Sequence, residues 1–200
     1  MNQPHWNYFL LLEDELVGIS RFVELSEDNY KAYSIEFVRL FLSICSEVDV
    51  VAKLLCKEAD SVLFDKTKGS HDPNMGTYRF VINSKFPGFH EAHVKIPLYN
   101  LSFVPWDNFK ADSSPTWWSE YNGVKHERNI NFKNATLGNV LFSMSGLMVL
   151  LVYFYGYQSS YISLDPQNKP KLFEIESAYY RTQGIAWETS QLYVPKDLIK

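Results

Sequence analysis

Apolar positions at Leu10, Leu12, Leu16, Ile19 and Val23 recur at helical spacing and predict a first helix over about residues 6–24. The polar joint LSEDNYKAY follows, in which Ser26, Asp28 and Asn29 are suitable caps. Over about residues 32–58 the chain contains no Gly or Pro and is apolar on most of its circumference, which predicts a central helix. The pattern then changes. DKTKGSHDPNMG is rich in turn formers and reads as a loop. TYRFVINSKF and HVKIPLYNLSFVPW alternate partially and are rich in β-branched and aromatic residues, predicting short strands and a hairpin. Pro87, Pro97 and Pro105 keep those strands short.

Helix restarts at SSPTWWSEYNGVKHER, with Ser114 as N-cap and Pro115 at the first helical position, where its missing N–H has no consequence. Asn134 is the expected cap of a long apolar helix reaching about Tyr157. Beyond Ser160 the pieces KLFEIES and AWETSQLYV look strand-like between loops. Together these elements predict a mainly α fold, a helical bundle with an irregular, partly β insertion between the second and third predicted helices. One domain is expected over residues 1–200, with a helical core at about 6–58 and 115–157, an insertion at about 60–114 and a C-terminal extension at about 158–200.

The last helix raises a membrane question, because residues 134–164 carry no charge and the apolar stretch 140–157 just reaches the length of a span. Ser143, Ser145, Gly146 and Gly156 lie within it and no Lys/Arg cluster flanks it, so a helix buried on all sides is expected and membrane insertion is not. The N-terminus MNQPHWNYF lacks a basic stretch leading into an apolar run. Cys45 and Cys56 share a face of the second helix about 16 Å apart, too far for a disulfide, and read as small core residues of a cytoplasmic protein. A formal net charge of −4 excludes a uniformly basic nucleic-acid binder and leaves room only for a local basic patch.

Such a patch is available in WWSEYNGVKHERN, residues 117–129. On one helical wheel, Trp117, Tyr121, Val124 and Arg128 fall together, while Lys125, Trp118, Asn129, Asn122 and His126 follow from about 80° to about 180°. Asn122 and His126 are four apart and therefore neighbours, so the amide can orient the ring or bind the same substrate group. Histidine titrates near neutral pH and can serve as general acid or base. On the second helix, Glu36, Ser43 and Glu47 line one side, next to a row of Arg39, Ser46 and Lys53. That side reads either as a solvated edge with local ion pairs or as a face that brings Glu47 to a polar site on another helix.

Other chemistry is absent or weak. HEAH, residues 90–93, lacks the H-E-x-x-H spacing of a zincin, and no metal or cofactor is expected. The chain contains no phosphate-binding glycine motif of the P-loop or dinucleotide type and no nucleophile elbow.

The segment YNGVKH resembles the motif of HEPN domains, all-α proteins common in prokaryotic defence and toxin–antitoxin systems. There a late helix carries Arg, a polar residue that is often Asn, a few further residues and then His. Asn122 and His126 match the Asn and His, and Tyr121 stands where the family keeps its arginine. SEVDVVAKLL, with Glu47 and Lys53, resembles the family's long acidic helix, and the final apolar helix suits its bundle. The resemblance covers residues 6–58 and 115–157 and leaves the insertion and the tail outside. It implies metal-independent RNA cleavage at a homodimer interface, with His126 as general acid or base and a cation stabilising the phosphorane. Lys125 is the nearest candidate for that cation, with Arg128 second; Tyr121, Arg128, Asn129, Trp118 and Glu47 are candidate binding residues. The alternative is a noncatalytic helical scaffold or protein-partner-binding module, in which the same residues form a buried, hydrogen-bonded joint.

Overall fold

The computed structural model describes residues 3–159, 162–164, 169–176, 180–185 and 188–193. It is mainly α, with six α-helices and small antiparallel sheets among the described residues. Helix α1 spans Pro4–Ser20, α2 Ile35–Lys68 and α3 Met75–Lys85; α4 spans Thr116–His126, α5 Arg128–Asn131 and α6 Leu137–Ser159. Helix α2 packs along α6 at the centre, and α1, α3 and α4 pack around them.

The two central helices form for different reasons. Ser34 caps α2 by accepting from the Phe37 N–H at 3.1 Å, and an apolar stripe from Phe37 to Cys56 is buried. The helix runs further than its predicted end near Glu58. Asp60 leaves helical geometry and its carboxylate accepts from the Leu63 N–H at 2.8 Å, capping a second segment that continues to Lys68. Lys85, at the end of α3, pairs with the other Asp60 oxygen at 2.8 Å and ties that segment to its neighbour.

Helix α6 is long and apolar enough to cross a membrane, yet 89% of its apolar window is buried inside the protein. Its Ser143 and Ser145 hydroxyls donate to the Val140 and Leu141 carbonyls of the same helix, so the polar groups need no outside partner. It is a core helix. Its cap is Thr136, whose hydroxyl accepts from the Asn139 N–H at 3.2 Å, and not the predicted Asn134, whose carbonyl instead takes the Asn139 amide at 2.7 Å. The Leu137 and Gly138 N–H groups donate to Ala32 and Tyr30 in the joint before α2, which satisfies the first turn.

The insertion is less β-rich than its composition suggests. Residues 77–85 of the stretch 77–86, expected as a strand, belong to α3, and Phe86 is its C-cap. Asn74 and Thr77 form a reciprocal capping box at its start, and Met75, Tyr78, Val81 and Ile82 are buried at helical spacing. The hairpin does form: β1 (Val94–Ile96) pairs antiparallel with β2 (Leu101–Phe103) across a 3-10 turn at Pro97–Tyr99. Strand β4 (Glu174–Ile175), within the predicted piece KLFEIES, adds to β1 to give the order β2-β1-β4. A second sheet has the order β3-β6-β5, from β3 (Ile162–Leu164), β5 (Tyr180–Ile185) and β6 (Glu188–Tyr193).

Buried Glu13 on α1 holds the segment leading into β4. Its carboxylate accepts from the backbone N–H groups of Lys171, Leu172 and Phe173 at 2.8, 2.8 and 3.2 Å. Phe173 packs edge-on against Phe9 beside it. Both cysteines are free and buried, and burial pushes their thiols up, Cys56 to about 12.

Candidate functional site

Residues 117–129 do not form one helix. Helix α4 begins at Thr116, with Pro115 and not Ser114 at the cap position, and it ends at His126. Glu127 takes φ −136° and ψ 54°, and α5 starts afresh at Arg128. Gly123 is the pivot. Its carbonyl accepts both the Glu127 N–H at 2.9 Å and the Asn131 side-chain amide at 3.1 Å. A Cβ on Gly123 would sit 3.4 Å from the Asn131 side chain, an ordinary contact, so the two bonds to the Gly123 carbonyl hold the fold-back.

This break separates the knot into a core half and a surface half. Trp117, Trp118, Tyr121 and Val124 are buried. The Trp117 indole N–H donates to the Pro105 carbonyl at 2.9 Å, and its ring meets Trp106 edge-on at 5.2 Å. Trp118 packs on Tyr121 at 4.9 Å, and Tyr121 meets Phe41 of α2 edge-on. Burial pushes the Tyr121 phenol up to about 12, with smaller contributions from nearby Cys45 and Asp49. Tyr121 is therefore a core residue.

Arg128 does not share that face, as a continuous helix would require. It is exposed on α5, and so are Lys125, His126 and Asn129. These four, with Leu42, Val124 and Phe132, line an open groove of about 740 Å³. Among the described residues, none of the three potential cations in it has a carboxylate partner; Lys125 instead lies over the Tyr121 ring, 5.6 Å from its centroid. Asn122 lines a second, smaller concavity of about 330 Å³ together with Trp118, Tyr121 and Lys125. Asn122 and His126 thus open on different spaces, and Lys125 borders both.

Glu47 lies apart from both. Its carboxylate is hydrogen-bonded to His5 Nδ1 at 2.5 Å, while the Tyr155 hydroxyl accepts from the His5 backbone N–H at 3.2 Å. The partner of Glu47 is thus the start of α1, and the group joins α1, α2 and α6. Arg39 pairs with Glu36 and with Glu15 of α1, each at 3.0 Å, so that side of α2 is an edge of ion pairs. Sequence reasoning missed Asp49, which lines the second concavity and accepts from the Tyr78 hydroxyl at 3.0 Å. Its signal was present in the chain, since Asp49 is two residues from Glu47, but only the placement of the neighbouring helices shows which of the two faces α4.

Among the described residues no group of three His, Cys, Asp or Glu side chains could hold a metal ion. The groove can attract an anion, and His126 can move a proton there. Comparison with known proteins finds no matching family model, no matching curated protein and no matching solved structure.

Proposed function

We propose that the protein is a HEPN-like, RNA-associated protein of the cytoplasm that holds a phosphate backbone in the groove between α4 and α5. The carrying observation is the convergence of Lys125, His126 and Arg128 on one open groove without a carboxylate partner among the described residues. On an acidic chain, cations left unpaired side by side favour a polyanion locally. His126 is the acid–base group for metal-independent cleavage, and Lys125 and Arg128 are the charges available to a developing phosphorane. The reading includes a homodimer, and exposed Ile130 on α5 is an apolar residue available to such a contact.

A noncatalytic scaffold or partner-binding role is the second reading, and Tyr121 favours it. Its burial removes the arginine of the resembled motif and leaves a core residue in its place. Lys125 and His126 also sit in the last turn of α4, where cations complement the helix dipole without any ligand. The two readings separate in an RNA cleavage assay in EDTA, with wild type and His126→Ala at equal purity. Metal-independent cleavage that disappears in the variant supports the nuclease; equal residual activity in both leaves only binding.

A further inference from the structure

The second concavity has a different chemical character from the groove. Its lining is mainly polar, from Asp49, Asn74, Asn122 and Ser46 with Lys125 at the border, and Trp118, Tyr121, Pro73 and Val50 add apolar surface between them. At about 330 Å³ it lies near the lower end of small-ligand sites, which begin at roughly 300 Å³. That volume suits a group the size of one base.

The polar atoms are set for a particular pattern. Asp49 Oδ1 accepts from the Tyr78 hydroxyl, which fixes the carboxylate and leaves Oδ2 without a partner among the described residues. Asn74 Oδ1 is committed to the Thr77 N–H at 3.1 Å, so its amide N–H₂ is the end left to donate. The partly buried Asn122 side chain has no hydrogen bond among the described residues and can donate or accept. The concavity therefore offers a carboxylate held in place by Tyr78 with its Oδ2 free, amide donors and two aromatic side chains, directly beside a cationic groove.

We propose that this concavity is a base-recognition subsite for a guanine of single-stranded RNA whose phosphate lies in the adjacent groove. The proposal rests on reading that groove as a phosphate site. An ionised carboxylate only accepts hydrogen bonds, and it does so best from two adjacent donors. Guanine presents N1–H and the N2 amino group side by side on its Watson–Crick edge. Its O6 then faces the amide donors of Asn74 or Asn122. Adenine and cytosine set a ring-nitrogen lone pair beside their amino group, and uracil flanks its N3–H with two carbonyls, so each turns an acceptor toward Asp49. An unstacked base against aromatic side chains, read along that edge, is how single-stranded RNA is commonly recognised. Lys125, bordering both spaces, would lie between base and phosphate.

The test is fluorescence anisotropy with an oligouridine carrying one central guanosine, inosine or abasic site. It uses wild type, Asp49→Asn, Asn122→Ala and Arg128→Ala. Inosine keeps N1–H and O6 and lacks only the N2 amino group. Wild type should bind the guanosine oligonucleotide about tenfold more tightly than the inosine one, the size of one good base contact. Asp49→Asn and Asn122→Ala should bring that ratio toward one, and Arg128→Ala should weaken all three oligonucleotides alike. Equal binding of guanosine, inosine and abasic oligonucleotides, with Arg128→Ala still weaker, overturns the subsite and spares the groove. A guanosine preference that survives with Arg128→Ala unaffected keeps the subsite and rejects the groove. Failure of wild type to bind any of the three rejects both. Should Asp49→Asn unfold because Tyr78 has no carboxylate to donate to, the inosine comparison on wild type and Asn122→Ala decides.

Discussion

Lys125 carries its ammonium 5.6 Å from the centroid of the Tyr121 ring, one turn along α4, so a buried phenol supports an exposed cation. The tyrosine itself faces Phe41 and Trp118. Restoring the motif arginine by Tyr121→Arg should therefore damage the fold and give no gain at the groove. A guanidinium in place of the phenol loses the packing on Phe41 and Trp118 and is desolvated among them, and the loss should be about 3 kcal/mol or more. Chemical denaturation measures it. A variant as stable as wild type with tighter RNA binding would show that the position faces the groove after all.

Gly146 should be intolerant of even one methyl group. A Cβ there would lie 3.0 Å from the Trp117 ring, and the Gly146 carbonyl accepts from the Trp106 indole at 3.1 Å. Gly146→Ala should lower stability by about 1–3 kcal/mol through overpacking, despite the better helix propensity of alanine. A thermal melt at or above wild type would mean that α4 can shift away from α6 freely.

Glu47 should matter for stability and not for RNA. Its partner is His5 at 2.5 Å, on the face joining α1, α2 and α6. Glu47→Gln should cost on the order of 1–2 kcal/mol, the scale of a charge-assisted hydrogen bond, and leave RNA affinity as in wild type. Parallel denaturation and anisotropy titrations check both halves, and a selective loss of RNA binding would return Glu47 to the site.

The Glu13 latch has a signed pH dependence. Burial raises its carboxyl above the usual 4.5, against the lowering effect of the three backbone N–H groups, while Asp14 adds a small further push upward. The folded state then holds the proton more tightly than the unfolded chain. This contribution is fully present below pH 4.5 and is lost as pH rises through the folded-state value. Glu13→Gln cannot titrate, so wild type should gain stability relative to this variant as pH falls toward 4.5, with no further gain below it. Denaturation of both proteins across that window reads the difference; one that does not change with pH would show no shift at Glu13.

The parts of the fold that the sequence disclosed are those governed by periodicity. The stripe of α2 and the uniform apolarity of α6 mark central helices, and the hairpin around Pro97 follows from the alternation of HVKIPLYNLSFVPW. The burial of Trp117, Tyr121 and Val124 follows from the wheel of α4. The rest depended on groups distant in the chain or on short caps. The aromatic and β-branched content of residues 77–86 suggested strand, while the Asn74–Thr77 capping box decided for helix. The break at Glu127 depends on Asn131 reaching back to Gly123, so a continuous wheel put Arg128 on the wrong face. Glu47 and Asp49 differ by two positions, and only the placement of α1 and α4 shows that the first belongs to a joint and the second to a concavity.

The most direct test of the central claim is the affinity of a single-stranded RNA for wild type and for the double variant Lys125→Ala/Arg128→Ala, titrated over a range of salt. If the groove holds phosphates, wild-type affinity falls steeply with salt, and the variant binds more weakly with a slope shallower by about 0.7 for each phosphate it no longer neutralises. Identical affinities and slopes for the two folded proteins would contradict a phosphate-binding groove.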